Sequence, residues 1–207
     1  MSKAVQAVSS WRPILTLVLL AGLPGVHAMS PRPATGEIPV PTGWRVEQRI
    51  DGDLDGDGRD DRVLALVHSA GGNAPQASAD EPSDQRALLA LRQGPRGWRI
   101  IAFAPGILPC TSCTGPMGGG GPEDYAVLIE DGSLSLSWMQ GAREMEEVTL
   151  TFAYDPKQDA LRLVHEESLS VDRVSGREHV VDKDWRTGQR PHPRIEALSA
   201  EQFPSAP

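Results

Sequence analysis

The sequence predicts an all-β fold in which antiparallel meanders form a two-sheet sandwich or a propeller-blade-like domain. Short segments alternate apolar and polar residues with a period of two, and turn residues separate them. A helical apolar period does not persist over three turns in any segment. The one helical candidate is short and C-terminal, within residues 193–203, where a tail is the alternative.

The first 28 residues have the composition of a secretory signal peptide. Lys3 and Arg12 supply positive charge, an apolar stretch covers residues 14–23, and small residues close the segment at Val26-His27-Ala28. The apolar stretch is shorter than the roughly 20 residues of a membrane span, so we expect cleavage after residue 28. The protein is therefore predicted to be exported, either periplasmic or secreted, with no membrane span after cleavage.

The rest of the chain is predicted to contain one domain. Residues 29–43 contain four prolines and are expected to form a linker. Residues 44–186 are expected to form a single β-rich domain that carries an acidic loop at 51–61, and residues 187–207 a C-terminal tail.

Strands are predicted wherever the alternation or a continuous apolar run occurs. In the first half these segments are 44–50, 62–67, 87–92 and 98–103, with a polar loop at 71–85. In the second half they are 125–130, 133–138, 148–154, a strand beginning at 161, and an exposed pair at 168–174 and 178–184. Asp131-Gly132 predicts a tight hairpin, because both residue types tolerate positive φ.

The charge balance excludes several classes of partner. Asp and Glu number 28 against 20 Lys and Arg, which gives a net charge of −8. Such a chain is not expected to bind nucleic acid or anionic membrane, and it favours cations. The sequence leaves open a protein or glycan ligand and does not indicate a binding surface for either.

The sequence contains no G-x-S-x-G and no H-E-x-x-H motif, so it favours a structural or binding module over an enzyme.

The acidic loop is the strongest chemical signal. Six aspartates lie within DGDLDGDGRDD, residues 51–61. Carboxylates this close repel one another unless a cation lies between them, and calcium prefers oxygen ligands of this kind. We predict a calcium site with ligands at Asp53, Asp55, Asp57, the backbone carbonyl of Arg59, and Asp61. The alternative is a solvated acidic turn between strands.

Two aspartates of the run, Asp51 and Asp60, are expected to lie outside the ligand shell. An EF-hand does not fit the segment. It requires a bidentate Glu at position 12, where this chain has Leu64, or Arg62 if the count begins at Asp51. It also requires flanking helices, whereas the flanking residues here have strand character.

The segment DGDLDGDGRDDRVLAL resembles the calcium-binding segment of FG-GAP/VCBS-type repeats, which occur in integrin α-chain propellers and in bacterial exported proteins. The resemblance covers about twenty residues and implies the ligand places given above. This chain has one such segment and lacks the Phe-Gly…Gly-Ala-Pro signature. It is also similar to small bacterial secreted proteins with one such loop and a later Cys-x-x-Cys, which implies an exported β-domain without a known activity.

The two cysteines form the motif Cys110-Thr111-Ser112-Cys113. In an oxidising compartment they are expected to form a structural disulfide that closes a glycine-rich loop. The alternative is a periplasmic thiol–disulfide redox protein, which needs a helix N-terminus to lower the pKa of the first thiol. No helical pattern follows Cys113, so we favour the structural disulfide.

The glycine run 118–121 lacks the Lys and helix of a phosphate-binding loop and is predicted to be a bend.

Overall fold

The alternating segments form two antiparallel sheets. The computed structural model describes residues 38, 40–68, 85–187 and 192–203. The first sheet contains β1 (Trp44–Gly52), β2 (Asp61–His68), β3 (Arg86–Gly94) and β4 (Gly97–Pro105). The second contains β5 (Tyr125–Glu130), β6 (Ser133–Gly141), β7 (Glu144–Asp155), β8 (Ala160–Asp172) and β9 (Glu178–Asp184). Neighbours in the chain are neighbours in each sheet, so both sheets are meanders and the all-β prediction is confirmed.

One core is shared by both sheets. In β6 the apolar residues Leu134, Leu136 and Trp138 are buried, and the intervening serines lie on the other face. They belong to the same apolar cluster as Val63 and Leu88 of the first sheet. The alternation therefore directs one face of each sheet into a common interior, as a two-sheet sandwich requires.

The first sheet is also apolar on its other face, which we call the outer face. Strands β2 and β3 are continuous apolar runs, so burial of one face leaves a second apolar face. That face carries a separate cluster of fully or nearly fully buried residues: Leu64, Leu66, Ala87, Leu89 and Leu91. Partly buried side chains pack against it: Ile38, Val40, Trp44, Trp98 and Phe103. Ile38 and Val40 come from the segment predicted to be a linker.

Two predicted elements differ from the structure. The strand predicted from residue 161 and the one predicted at 168–174 are one strand, β8, which pairs with β7 through a register shift at Thr151/Phe152. The sequence between them contains no Gly or Pro to end a strand. The C-terminal helix candidate is two 3-10 turns, Ile195–Ala197 and Ala200–Gln202, because Leu198 and Ser199 between them are extended.

The hairpin between β5 and β6 has the expected geometry, with φ of 49° at Asp131 and 71° at Gly132. The last strand, β9, pairs only with β8 among the described residues, and most of its side chains are exposed.

The described part of the chain contains no helix long and apolar enough to cross a membrane. The predicted signal peptide lies outside the described residues, as does the predicted loop at 71–85 apart from Gln85.

Candidate metal site

The acidic loop joins the end of β1 to the start of β2, where Gly52 pairs with Asp61. Two glycines in the loop have positive φ, 77° at Gly56 and 80° at Gly58, and a Cβ at either position would meet no atom within 4 Å. This conformation is accessible to glycine at little cost, so the two positions allow the chain to reverse within the loop. Both flanking elements are strands, which excludes an EF-hand.

The carboxylate of Asp53 accepts three hydrogen bonds from the backbone of the loop. Its Oδ1 accepts hydrogen bonds from the backbone N–H groups of Gly56 at 2.8 Å and Asp57 at 3.1 Å. Its Oδ2 accepts a third from Gly58 at 2.8 Å. The loop backbone therefore wraps around one carboxylate, and this holds the carboxylate at a fixed position in the centre of the turn.

Three of the four predicted carboxylate ligands converge. One oxygen from each of Asp53, Asp55 and Asp61 lies within 4.8 Å of the other two, and the group could hold a metal ion. Calcium binds oxygens at 2.3–2.6 Å, so two ligands of one ion are separated by at most about 5 Å. The spacing of the three carboxylates is compatible with a common ion, and their donor atoms are those of a hard cation.

Asp61 is the buried member of the group. Its side chain has no solvent exposure, and its two oxygens accept hydrogen bonds from the backbone N–H groups of Leu54 at 3.1 Å and Gln93 at 2.8 Å. Burial raises its pKa above the ordinary value, against the opposing effect of these two hydrogen bonds. Because Gln93 belongs to β3, Asp61 connects the acidic loop to the next strand of the sheet.

The fourth predicted carboxylate, Asp57, lies outside this group. It forms an ion pair with Arg59 at 2.5 Å and also accepts the backbone N–H of Arg59 at 3.0 Å. The hydrogen bond from the Arg59 side chain lowers the pKa of Asp57. The group does not include Asp51, which pairs with Arg49 and Arg62, or Asp60, which is exposed.

Sequence reasoning missed Arg92, at the end of β3. Its guanidinium forms an ion pair with the carboxylate of Asp55, whose side chain is only 5% exposed. It also donates to Tyr154 Oη at 3.1 Å and lies 5.5 Å from the centre of that ring. Tyr154 in turn donates to Asp159 at 2.7 Å. Arg92 thus links the acidic loop to the β7–β8 hairpin of the second sheet, across sequence distances that no local motif reveals.

The cysteine pair is disulfide-bonded, as predicted. The two residues close a turn in which the N–H of Cys113 donates to the carbonyl of Cys110 at 3.0 Å. The glycine run that follows folds over Asp124, whose carboxylate accepts the N–H groups of Gly119 and Gly120, both at 2.8 Å. A 3-10 turn, Gly115–Met117, follows the disulfide.

A buried arginine anchors the same loop. Arg86 has no solvent exposure and pairs with Glu47 at 2.8 Å. It donates to the carbonyls of Pro109 at 3.0 Å, Gly120 at 2.9 Å and Gly121 at 2.8 Å. The segment around the disulfide is therefore held by a charged side chain of the first sheet as well as by its sulfurs.

The second sheet contacts this cluster through Tyr125. Its hydroxyl donates to Glu47 at 2.7 Å, and its ring lies 4.9 Å from the Arg86 guanidinium. Burial, with the hydrogen bond to Glu47, raises the pKa of Tyr125 above its ordinary value.

A comparison of the chain with protein-family models, with curated proteins and with solved structures finds no match.

Proposed function

We propose that this protein is an exported β-domain that binds one calcium ion in the acidic loop and acts as a structural or binding module. The observation that carries the proposal is the convergence of Asp53, Asp55 and Asp61, one of them fully buried. A buried carboxylate beside two others is costly without a cation, and a divalent ion offsets that cost.

Calcium would join the end of β1 to the start of β2. The three carboxylates supply oxygen ligands, and the backbone carbonyl of Arg59, the carboxylate of Asp57 and water are the candidates for the remaining places. Extracellular sites bind calcium at roughly 10⁻⁴ to 10⁻³ M, so the site would fill outside the cytoplasm. This fits the export expected from the N-terminal sequence and from the disulfide.

The test is calorimetric titration with calcium, together with thermal unfolding in calcium and in chelator. Calcium at about 100 times its Kd adds about 2.7 kcal/mol, which raises the unfolding midpoint by about 5 to 10 °C. In Asp55→Asn we expect the heat of binding and the midpoint shift to be lost. The matched control is Asp60→Asn, an exposed aspartate of the same loop, which keeps both.

A wild-type protein that gives neither binding heat nor a midpoint shift contradicts the calcium proposal. Equal loss in the Asp55→Asn and Asp60→Asn variants would show that the response comes from the general negative charge of the loop.

The redox alternative has one supporting observation: Cys110 and Cys113 border a cleft of about 630 Å³. A redox-active pair also needs a helix that begins at the first cysteine and lowers the pKa of its thiol. The element that follows the pair is instead the short 3-10 turn Gly115–Met117. We therefore propose a structural role for the disulfide.

A further inference from the structure

The tip of the β3–β4 hairpin borders a cleft whose wall is basic. The volume of the cleft is about 310 Å³, at the lower end of the roughly 300 to 1,000 Å³ that small-molecule sites have. The residues that line it are Arg92, Gly94, Pro95, Arg96, Gly97 and Arg99. Arginine occupies half of these positions, and no lining residue is acidic, although the chain as a whole has a net charge of −8.

Another cleft of similar size, about 320 Å³, lies against β8 and β9 and has a different lining. Its arginine, Arg177, is accompanied in the same wall by the acidic residues Glu144, Asp172 and Glu178. Positive charge in that cleft is therefore balanced by the residues that line it. In the β3–β4 cleft no lining residue does so, and any balance has to come from carboxylates outside the wall or from a ligand.

The pairing of β3 with β4 places two of the arginines side by side. Arg92 and Arg99 are directly opposite in the register, and like charges at opposite positions of a sheet repel each other. One carboxylate serves both: Asp159, in the turn between β7 and β8, pairs with Arg99 at 2.5 Å and lies 3.9 Å from Arg92. The hairpin thus concentrates positive charge at a point where strand pairing alone would disfavour it.

The nearby carboxylates are fewer than the arginines. Arg92 also pairs with Asp55, and Asp159 in addition accepts the hydroxyl of Tyr154 at 2.7 Å. The third arginine, Arg96, is exposed and has no ion pair or hydrogen bond with any residue that the structure describes. Three guanidinium groups around the cleft therefore share two carboxylates, which leaves the charge of one guanidinium without a counterion from the described chain.

The chemistry of the wall selects the kind of ligand. A guanidinium is a planar fork of N–H donors that matches the oxygens of a carboxylate, sulfate or phosphate group. Between the arginines, Gly94 and Gly97 offer backbone without side chains, and a Cβ at Gly97 would meet no atom within 4 Å, so this part of the wall is open. We propose that the cleft binds a small acidic ligand through an oxyanion group, with Arg96 as the unpaired donor and Arg92 and Arg99 as the further positive charges.

This inference goes beyond the calcium site and does not depend on it, so its tests are made in chelator. Sodium sulfate, sodium glucuronate and neutral glucose are titrated separately into the chain at constant ionic strength, because salt screens exposed charges. Guanidinium N–H signals are followed by nuclear magnetic resonance. We expect the signals of Arg96 and Arg99 to shift saturably with at least one of the two anions and not with glucose. The signal of Arg143, which is 73% exposed in the β6–β7 turn, should not follow them.

The two anions distinguish the sources of the oxyanion. Saturation with sulfate identifies a site for a free inorganic anion, whereas saturation with glucuronate alone identifies a carboxylate carried by a sugar-sized molecule. Either result supports the proposal. The absence of saturable shifts with both anions overturns it, and so does an equal response to glucose.

A matched pair of variants tests the arginine that carries the proposal. Arg96→Gln is expected to weaken binding of the anion about tenfold, since a hydrogen bond to a charged group is lost. Arg96→Lys keeps the charge without the planar fork and should lose less than Arg96→Gln. The control, Arg143→Gln, removes the same charge elsewhere and should leave the affinity unchanged. Because Arg96 is exposed, unchanged unfolding midpoints are expected in all three variants, and equal loss of affinity in Arg96→Gln and Arg143→Gln would contradict the site.

Discussion

At the scale of single residues, several aspartates of the acidic loop have nitrogen partners that hold their carboxylates in place. Asp53 accepts three backbone N–H groups, Asp57 pairs with Arg59, and Asp55 pairs with Arg92. The local partners follow from sequence spacing, because an aspartate readily accepts the N–H groups a few residues after it. Arg92 does not follow from spacing, since it approaches from another strand.

Arg92 is expected to compete with calcium for Asp55. Replacement of the guanidinium by an amide in Arg92→Gln removes a positive charge from the site, so we expect calcium to bind several-fold more tightly, as measured by calorimetric titration. The matched control is Arg99→Gln: Arg99 is 58% exposed and pairs with Asp159 in the same network, away from the three aspartates. Unchanged or weaker binding in Arg92→Gln would show that Arg92 positions Asp55 and does not compete for it.

At the scale of elements, the predictions succeeded where the deciding interactions are local. The serine–leucine alternation of β6 and the Asp131-Gly132 turn need only neighbouring residues, and both are confirmed. The division of β8 into two strands was wrong, because no Gly or Pro ends the strand between them and the pairing with β7 continues past a register shift. Of the two alternatives for residues 193–203, a continuous helix is not formed, because extended residues at 198 and 199 separate two 3-10 turns.

The loop between the two sheets is held by several interactions, so its disulfide should contribute modestly. The bond closes a loop with a sequence separation of 3, for which the chain-entropy model gives about 2 kcal/mol. We expect Cys110→Ser with Cys113→Ser to lower the free energy of unfolding by about 2 kcal/mol or less in chemical denaturation, with the fold retained. Arg86 and Asp124 still hold the segment in this variant.

A loss of the fold in this double variant would contradict that account. Disulfide reductase turnover by the wild-type protein that disappears in the variant would favour the redox alternative.

At the scale of the whole molecule, Arg86 connects parts that are far apart in sequence. Its partners Glu47, Pro109 and Gly121 lie 39, 23 and 35 residues away, and Tyr125 brings in the second sheet. No periodicity or motif marks such a residue. The sequence therefore predicts the strands and the acidic loop, whereas the polar contacts that hold the two sheets and their connection together appear only in the folded structure.

Removal of the Arg86 side chain should be strongly destabilising. Arg86→Met leaves the Glu47 carboxylate without its cationic partner and removes the donor to several carbonyls, and we expect a loss of about 3 to 5 kcal/mol in the free energy of unfolding. The same substitution at Arg99, whose ion pair is exposed, should cost no more than about 1 kcal/mol. Chemical denaturation of both variants measures the two losses in the free energy of unfolding. Equal losses would contradict the role of Arg86 as a buried anchor between the first sheet and the disulfide loop.

The edge formed by β9 has a consequence for the protein at high concentration. Glu178, Asp182 and Asp184 on this strand are exposed and give it a net negative charge, which Lys183 only partly offsets. A second molecule approaching this edge would bring its own acidic strand against the first, and the repulsion opposes continuous sheet growth between molecules. Among the described residues β9 ends its sheet, and its charge is expected to disfavour edge-to-edge pairing of two copies along this strand.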